Sequence, residues 1–483
     1  MSCKWLTALA VAVASGCGGG AASTPPPSTS GAPWLTLPAG SPYFEAGGRR
    51  APVVMRNVSA ADAADFAPLF SAASASGTTL VRLQLTQGLG YDTLGIDAAG
   101  GVLPAFAAAW DSVIDEAAQQ NLAVVVVFAI WGDWNDGTPD QGWVHFTANP
   151  LNQALGGPAA TPADLFDDTP TQRDWLAWVT SLVTRWSGRA NIVAWESFSE
   201  LDLASGSTET SATAFAGLAA ATIRAADPHG RPVFASTSDL PLLSGQPWTT
   251  FWASDGVDLA SLHVYANDLD QAIIDRTQAA RALTDKPIFV GESGLDAAAP
   301  DGTTLTTSTA APIGLQSAIW AELVAGSMTA RALYWEDGYA AYYPQSGLPL
   351  VTASDDLERG AAAWLADKDY RGLIPLALTA ATPLVGVVVG GADRVLGWAR
   401  NPGLVAPSWD VPPLDPLPIG VTLPAGSADG PWSVTLTSPD DGTASQVSGA
   451  AQSGTLTFQI ASPFNRVAFD AVRNTPPPGP ADR

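Results

Sequence analysis

Between residues 52 and 367, short and predominantly apolar runs alternate with longer stretches of helical period. This alternation restricts the fold more than any other feature of the chain. The runs are PVVMRN (52–57), TLVRLQL (79–85), AVVVVFAI (123–130), IVAWESF (192–198), RPVFAST (231–237), DLASLHV (258–264), PIFVGE (287–292) and RALYW (331–335). Strands of a parallel sheet are covered by helices on their outer face and by packed side chains within, so they read as continuous apolar runs. Between them, 175–186 places Trp175, Trp178, Val179, Leu182, Val183 and Trp186 on one helical face, and 103–120 and 310–328 read likewise. Eight strand-then-helix units predict a (β/α)8 TIM barrel over 41–370. A doubly wound open sheet is the alternative, but no glycine-rich phosphate turn follows the first strand to support it.

From about residue 374 the helical period stops. RVLGWAR (394–400), GVTL (420–423), WSVTLT (432–437), GTLTFQI (454–460) and NRVAFD (465–470) alternate instead, punctuated by Gly, Pro, Asp and Ser. This predicts a small antiparallel β-sandwich over 374–473, followed by a disordered tail over 474–483. No exposed aromatic row marks it as a glycan binder, so bracing of the barrel is the expected role.

The N-terminus predicts export. Residues 1–17 hold one basic residue, Lys4, then an apolar run of about ten residues, too short to span a bilayer, that ends Ala14-Ser15-Gly16-Cys17. This resembles a bacterial lipoprotein signal, which implies lipidation of Cys17 and a mature chain anchored to the cell envelope. An ordinary signal peptide is the alternative. Residues 18–40 form a Gly/Ser/Pro-rich tether with nothing to bury. The only other cysteine, Cys3, leaves with the signal, so no disulfide is expected. The chain carries 22 basic against 46 acidic residues, a net charge of −24, which argues against nucleic acid as a partner and against a membrane contact other than the lipid. Monomeric action is expected.

The candidate chemistry sits where two strands turn polar. IVAWESFSELDL (192–203) carries Glu196 and Glu200, and KPIFVGESG (286–294) ends a buried strand at Glu292. C-terminal ends of barrel strands are where barrel active sites lie. With Trp195-Glu196-Ser197-Phe198-Ser199-Glu200 on the fourth strand and Lys286-Pro287 leading to Gly291-Glu292-Ser293-Gly294 on the seventh, the barrel resembles the retaining glycoside hydrolases of clan A, most closely family 5. The resemblance implies Glu200 as acid/base and Glu292 as nucleophile. It further implies Arg82 as the second-strand arginine that steadies the nucleophile, His263 and Tyr265 as the His-x-Tyr of strand six, and Trp335 under the sugar ring. Two departures bear on substrate. The family's asparagine before the acid/base is Ser199 here, at a substrate-binding position, and its third-strand histidine is replaced within Phe128-Ala129-Ile130-Trp131. The resemblance implies hydrolysis of a β-glycan such as mannan or β-glucan.

Such cleavage passes through an oxocarbenium-like transition state, so one carboxylate must attack while a protonated carboxyl assists the leaving oxygen. The two groups need pKa values pushed apart. Glu196 shares Glu200's strand parity and is expected one layer deeper, as support. The loop WGDWNDGTPDQGWVHF (131–146) reads either as a subsite wall, with Trp131 and Trp134 stacking on sugar, or as a self-packed loop. Its aspartates lack EF-hand spacing. Glu336 and Asp337 read as solvated loop acids, and the helical tryptophans as core. With three histidines and no mature cysteine pair, no metal or cofactor is expected, and no G-x-S-x-G elbow supports a serine hydrolase. A non-catalytic glycan-binding barrel is the rival function, and a hydrolysis assay separates the two.

Overall fold

In the computed structural model, residues 33–59, 66–86, 95–136, 146–295, 310–334 and 357–474 are described. The barrel strands are β1 (Val53–Ser59), β2 (Leu80–Gln84), β3 (Ala123–Val127), β4 (Ile192–Glu196), β5 (Val233–Phe234, continued by Ser236–Thr237), β6 (Ala260–Tyr265), β7 (Ile288–Gly294) and β8 (Thr329–Ala330). Hydrogen bonding runs β8-β1-β2-β3-β4-β5 in one sheet and β5-β6-β7 in the other, all parallel. Parallel bridges Ile288↔Ser327 and Ser293↔Leu333 close the circle. This is the (β/α)8 barrel that the alternation predicts.

The helices follow from local signals. In α1 (Phe66–Ser76) and α2 (Pro104–Gln119) one face is buried, and Pro104 starts α2 where its missing N–H costs nothing. The Asp168 carboxylate accepts from Thr171 N and caps α3 (Thr169–Trp186), whose six predicted face residues are all buried. Each large apolar side chain so buried contributes roughly 1.5–3 kcal/mol. Further round the barrel lie α4 (Glu209–Ala226), α5 (Leu269–Leu283) and α6 (Ala311–Ala325), which ends at Gly326 with φ 92°, a left-handed cap that glycine adopts without strain. Two short helices, Leu240–Leu243 and Thr249–Ala253, stand after β5, and α7 (Arg359–Leu365) follows β8. No helix of the described residues is long and apolar enough to cross a membrane.

The eighth strand differs from its predicted register. Arg331 has φ 59°, which ends β8 at Ala330, and its buried guanidinium bonds Glu358 Oε2 at 2.8 Å. The chain rejoins the barrel only at Leu333. The regular part of the eighth strand, Thr329–Ala330, therefore lies two residues earlier than the predicted run 331–335.

Beyond the barrel, nine strands form one antiparallel sheet: β9 (Ile374–Leu376), β10 (Leu378–Ala380), β11 (Val385–Gly390), β12 (Arg394–Arg400), β13 (Leu417–Thr422), β14 (Gly430–Thr437), β15 (Ala444–Gln452), β16 (Thr455–Ile460) and β17 (Arg466–Arg473). Their order is β9-β11-β12-β17-β14-β15-β16-β13-β10, so the two edge strands are consecutive in the chain and the sheet curls almost shut. Its own core includes Trp432, Val434, Leu456, Phe458 and Phe469. It is fastened to the barrel by Arg400, fully buried, which bonds Asp270 and Asp268 at the start of α5, both at 2.5 Å. Gly314 of α6 approaches the Trp409 indole so closely that a Cβ there would fall 2.6 Å from the ring.

Candidate active site

At the C-terminal mouth of the barrel, β4 runs into Ser197–Glu200. Ser199 N bonds Ala129 O at 2.8 Å, which extends the pairing with β3, and the chain then turns sharply at Glu200, with φ 57° and ψ 54°. A left-handed glutamate costs on the order of 1–3 kcal/mol and persists only where its surroundings fix it. Here Glu200 N donates to Ser236 Oγ at 3.0 Å, and two residues on the Asp202 carboxylate accepts from Ser238 N at 2.8 Å and Ser238 Oγ at 2.5 Å. The turn aims the Glu200 carboxyl across β5 toward β6, where Glu200 Oε1 stands 2.9 Å from His263 Nδ1.

Glu292 is aimed by an irregularity of β7. The register with β6 shifts between Val290 and Glu292, so Gly291 is skipped and Glu292 lies opposite His263. Gly291 is required there, because a Cβ would meet His263 Nε2 at 2.9 Å. Glu292 Oε1 accepts from Arg82 Nη1 at 2.7 Å and Gln84 Nε2 at 2.8 Å, with Ser199 Oγ at 3.4 Å. Glu292 Oε2 accepts from the Tyr265 hydroxyl at 2.7 Å.

Arg82 organises the layer beneath. Its Nε and Nη2 donate to the two Glu196 oxygens at 2.6 and 2.8 Å, and Nη2 also reaches Ser199 Oγ at 2.9 Å. Glu196 is fully buried and also accepts from Ser236 Oγ at 2.8 Å, the supporting place that its parity predicts. One guanidinium thus bridges two buried carboxylates through charge-assisted bonds.

The electrostatics separate the two glutamates. Burial raises the Glu200 pKa, repulsion from Glu292 and Asp202 adds to it, and His263 pulls against both. Burial alone would also raise Glu292, but the His263 and Arg82 charges and the Tyr265 hydrogen bond outweigh it and hold this carboxyl below its usual range. Burial opposes a charged His263, yet Glu292 and Glu200 raise its pKa on balance. One carboxylate oxygen from each glutamate and a His263 ring nitrogen lie within 4.8 Å of one another, a spacing that could hold a metal ion. The Arg82 guanidinium on the same Glu292 carboxylate opposes a cation there.

Arg82, Ser199, Glu200, His263, Tyr265 and Glu292 are thus brought together, whereas Trp134 is not. It is 1% exposed, packs at a tilt against Phe146 with ring centroids 5.9 Å apart, and is part of the main hydrophobic core, so it offers no face to a ligand. This corrects its expected place as a sugar platform. Trp131 is half-buried beside the site, its N–H bonding Ser199 O at 3.0 Å. Trp335, Glu336, Asp337, Cys17 and the loop segment 137–145 lie outside the described residues. The helical tryptophans Trp110, Trp175, Trp178, Trp186 and Trp320 are core, as expected.

Sequence reasoning passed over Gln84, Asn57 and Tyr334. Asn57 donates to the carbonyls of Gly291, Ala332 and Leu333 and accepts from Arg82 Nη1, tying β1 to β7 and to the chain after β8. Gln84 shares the parity of Arg82 in LVRLQ, a signal that was available.

No family model matches the sequence, and no curated protein does. Among solved structures, a glycoside hydrolase family 5 structure from Bacteroides vulgatus superposes with a TM-score of 0.63 at 12% identity, covering 92% of this chain and 95% of its own. A second structure from the same organism gives 0.58 at 12% identity, covering 93% and 84%. At such identity the likeness establishes the barrel and its appended β-domain as a shared fold.

Proposed function

We propose that the chain is a retaining β-glycoside hydrolase, exported and held at the cell envelope by a lipid on Cys17, that acts as a monomer on a β-glycan such as mannan or β-glucan. The observation that carries this reading is the pair Glu200 and Glu292. Glu200 is half-buried and Glu292 buried at the mouth of a parallel barrel, one oxygen of each lies within 4.8 Å of the other, and one carboxyl is pushed up while the other is held down. Retaining glycosidases need carboxyl groups about 5–5.5 Å apart, whereas inverting ones leave room for a water at about 6.5–9.5 Å. The likeness to a family 5 structure agrees with this reading without extending to substrate.

In the proposed reaction Glu292 attacks the anomeric carbon as the glycosidic C–O bond breaks and Glu200 gives its proton to the departing oxygen. Glu200, now a carboxylate, takes a proton from water as that water attacks the same carbon, and Glu292 leaves with the electron pair of the ester bond. Arg82 and Tyr265 stabilise Glu292 whenever it carries the charge. Half-buried Trp131 offers the apolar surface on which a sugar could stack.

Proton NMR of the first-formed sugar during cleavage of an aryl β-glycoside tests the reading, with a polysaccharide panel to identify the glycan. The β-anomer is expected first. Initial α-anomer would mean inversion, and no cleavage of any β-glycan would favour a binding protein.

A further inference from the structure

We propose that Gln84, held by Tyr334, is a positioning residue for Glu292 that anchors Oε1 and leaves Oε2 to bond the sugar. The inference deepens the glycosidase reading and rests on it. Gln84 Nε2 lies 2.8 Å from Glu292 Oε1, and the Tyr334 hydroxyl lies 3.0 Å from Gln84 Oε1. The orientation of the amide follows from chemistry, because an ionised carboxylate can only accept and must face the NH2 group, while the tyrosine hydroxyl donates to the carbonyl. Gln84 and Tyr334 are both buried, so neither bond is exchanged freely with water.

The groups facing Glu292 come from every neighbouring strand. Arg82 and Gln84 stand on β2, Ser199 and Glu200 follow β4, His263 and Tyr265 come from β6, and Tyr334 reaches the cluster through Gln84. Glu196 lies behind Arg82. Oε1 takes the Arg82 and Gln84 bonds, which fill its two lone-pair directions, with Ser199 Oγ at 3.4 Å beside them. Among the described residues, Oε2 accepts only from Tyr265, with His263 Nδ1 at 3.5 Å on the side of Glu200. Oε2 therefore keeps a lone pair directed at the space between the glutamates, and the bond to the anomeric carbon forms there.

Gln84→Met keeps the volume and removes the donor. Carbon-13 NMR titration of the Glu292 carboxyl, assigned by its loss in Glu292→Gln, reads the effect without any substrate. A lost bond to a charged acceptor should raise the Glu292 titration by about one unit, and the acid limb of kcat/KM should move with it. Gln84→Glu should raise it further, through a like charge beside the carboxylate. Tyr334→Phe, which frees the amide to turn, should give a smaller rise and carries the test if the Gln84 variants do not fold. A folded Gln84→Met variant with unmoved titration and acid limb overturns the inference while the glycosidase reading stands. Movement of the titration in a protein that hydrolyses no glycoside overturns that reading, and with it the part of Gln84 in catalysis. A crystal structure of the enzyme trapped with a 2-deoxy-2-fluoro glycoside should show the ester bond at Oε2; a bond at Oε1 overturns the assignment of the oxygens.

Discussion

His263 Nδ1 stands between the two glutamates, 2.9 Å from Glu200 Oε1 and 3.5 Å from Glu292 Oε2. A Cβ on Gly291 would fall 2.9 Å from His263 Nε2, which is buried and has no hydrogen-bond partner among the described residues. A single nitrogen therefore serves both carboxyls, and its positive charge, when present, lowers both of their pKa values.

Removing that charge should move the whole pH profile in one direction. In His263→Asn the Glu292 pKa rises, so the acid limb of kcat/KM moves to higher pH, because the nucleophile must be ionised. The Glu200 pKa rises as well, so the alkaline limb moves to higher pH, because the acid must be protonated. Each limb should shift by about one unit, and the maximum should fall by roughly one to two orders of magnitude. Measurement with an aryl glycoside across pH checks this, and opposite shifts of the two limbs would contradict the shared role of the imidazole.

Much of this site was legible because buried strands that end in a charge are rare. The apolar run Ile192–Trp195 and the run Ile288–Val290 each point to a glutamate, and Arg82 stands out inside an otherwise apolar strand. Gln84 carried the same signal more weakly, since one amide in a strand is also compatible with a polar edge. Tyr334 was hidden by a register error. The apolar look of RALYW masks the left-handed turn at Arg331, whose buried guanidinium pairs with Glu358, 27 residues away. For Trp134 the sequence leaves a subsite wall and a self-packed loop both open, because composition cannot tell an aromatic that faces solvent from one that is buried, as Trp134 is. In the β-domain, β15 reads ASQVSGAAQ and is mostly exposed; pairing with β14 and β16, not apolar alternation, makes it a strand.

Glu322 on α6 gives a stability prediction. It is 1% exposed, accepts from Ala332 N at 3.1 Å and Ser293 Oγ at 3.3 Å, and burial pushes its pKa up to about 8. A carboxyl with a folded pKa above its unfolded value favours the fold fully below the unfolded pKa. It loses that contribution as pH rises through the folded one. Glu322→Gln keeps an acceptor for the Ala332 N–H and offers an NH2 from which the rotatable Ser293 hydroxyl can accept, but cannot ionise. Its stability relative to wild type should therefore improve from about pH 5 to pH 8, by at most about 1.4 kcal/mol per pH unit, and level off above. Urea unfolding at several pH values checks this; a difference independent of pH would mean that Glu322 stays charged.

Anchoring is tested at Cys17. If the lipid on that residue is the only membrane attachment, Cys17→Ala should move the protein from the membrane fraction to the soluble fraction. Its specific activity should stay unchanged, because the 18–40 segment has the composition of a tether and not of a fold. Fractionation and a glycosidase assay on the same sample read both properties. Retention in the membrane fraction would point to another attachment.

The two glutamates are separated most sharply by chemical rescue. Glu292→Ala cannot form a glycosyl-enzyme and should lose hydrolysis of every substrate. On the proposed roles Glu200→Ala lacks the acid/base and keeps the nucleophile, so its loss should depend on the leaving group. A sugar alkoxide needs that proton, and polysaccharide cleavage should fall by roughly two to four orders of magnitude. An acidic phenol departs without it, so an aryl glycoside should still load the enzyme, and the glycosyl-enzyme should then accumulate because no base activates water. Azide added to Glu200→Ala should attack that intermediate from the face opposite Glu292 and give the β-glycosyl azide. Azide added to Glu292→Ala should occupy the vacated face and attack the substrate directly, giving the α-glycosyl azide. The anomer that each variant forms, read by NMR, identifies which carboxyl bonds the sugar: an α-azide from Glu200→Ala would exchange the two roles.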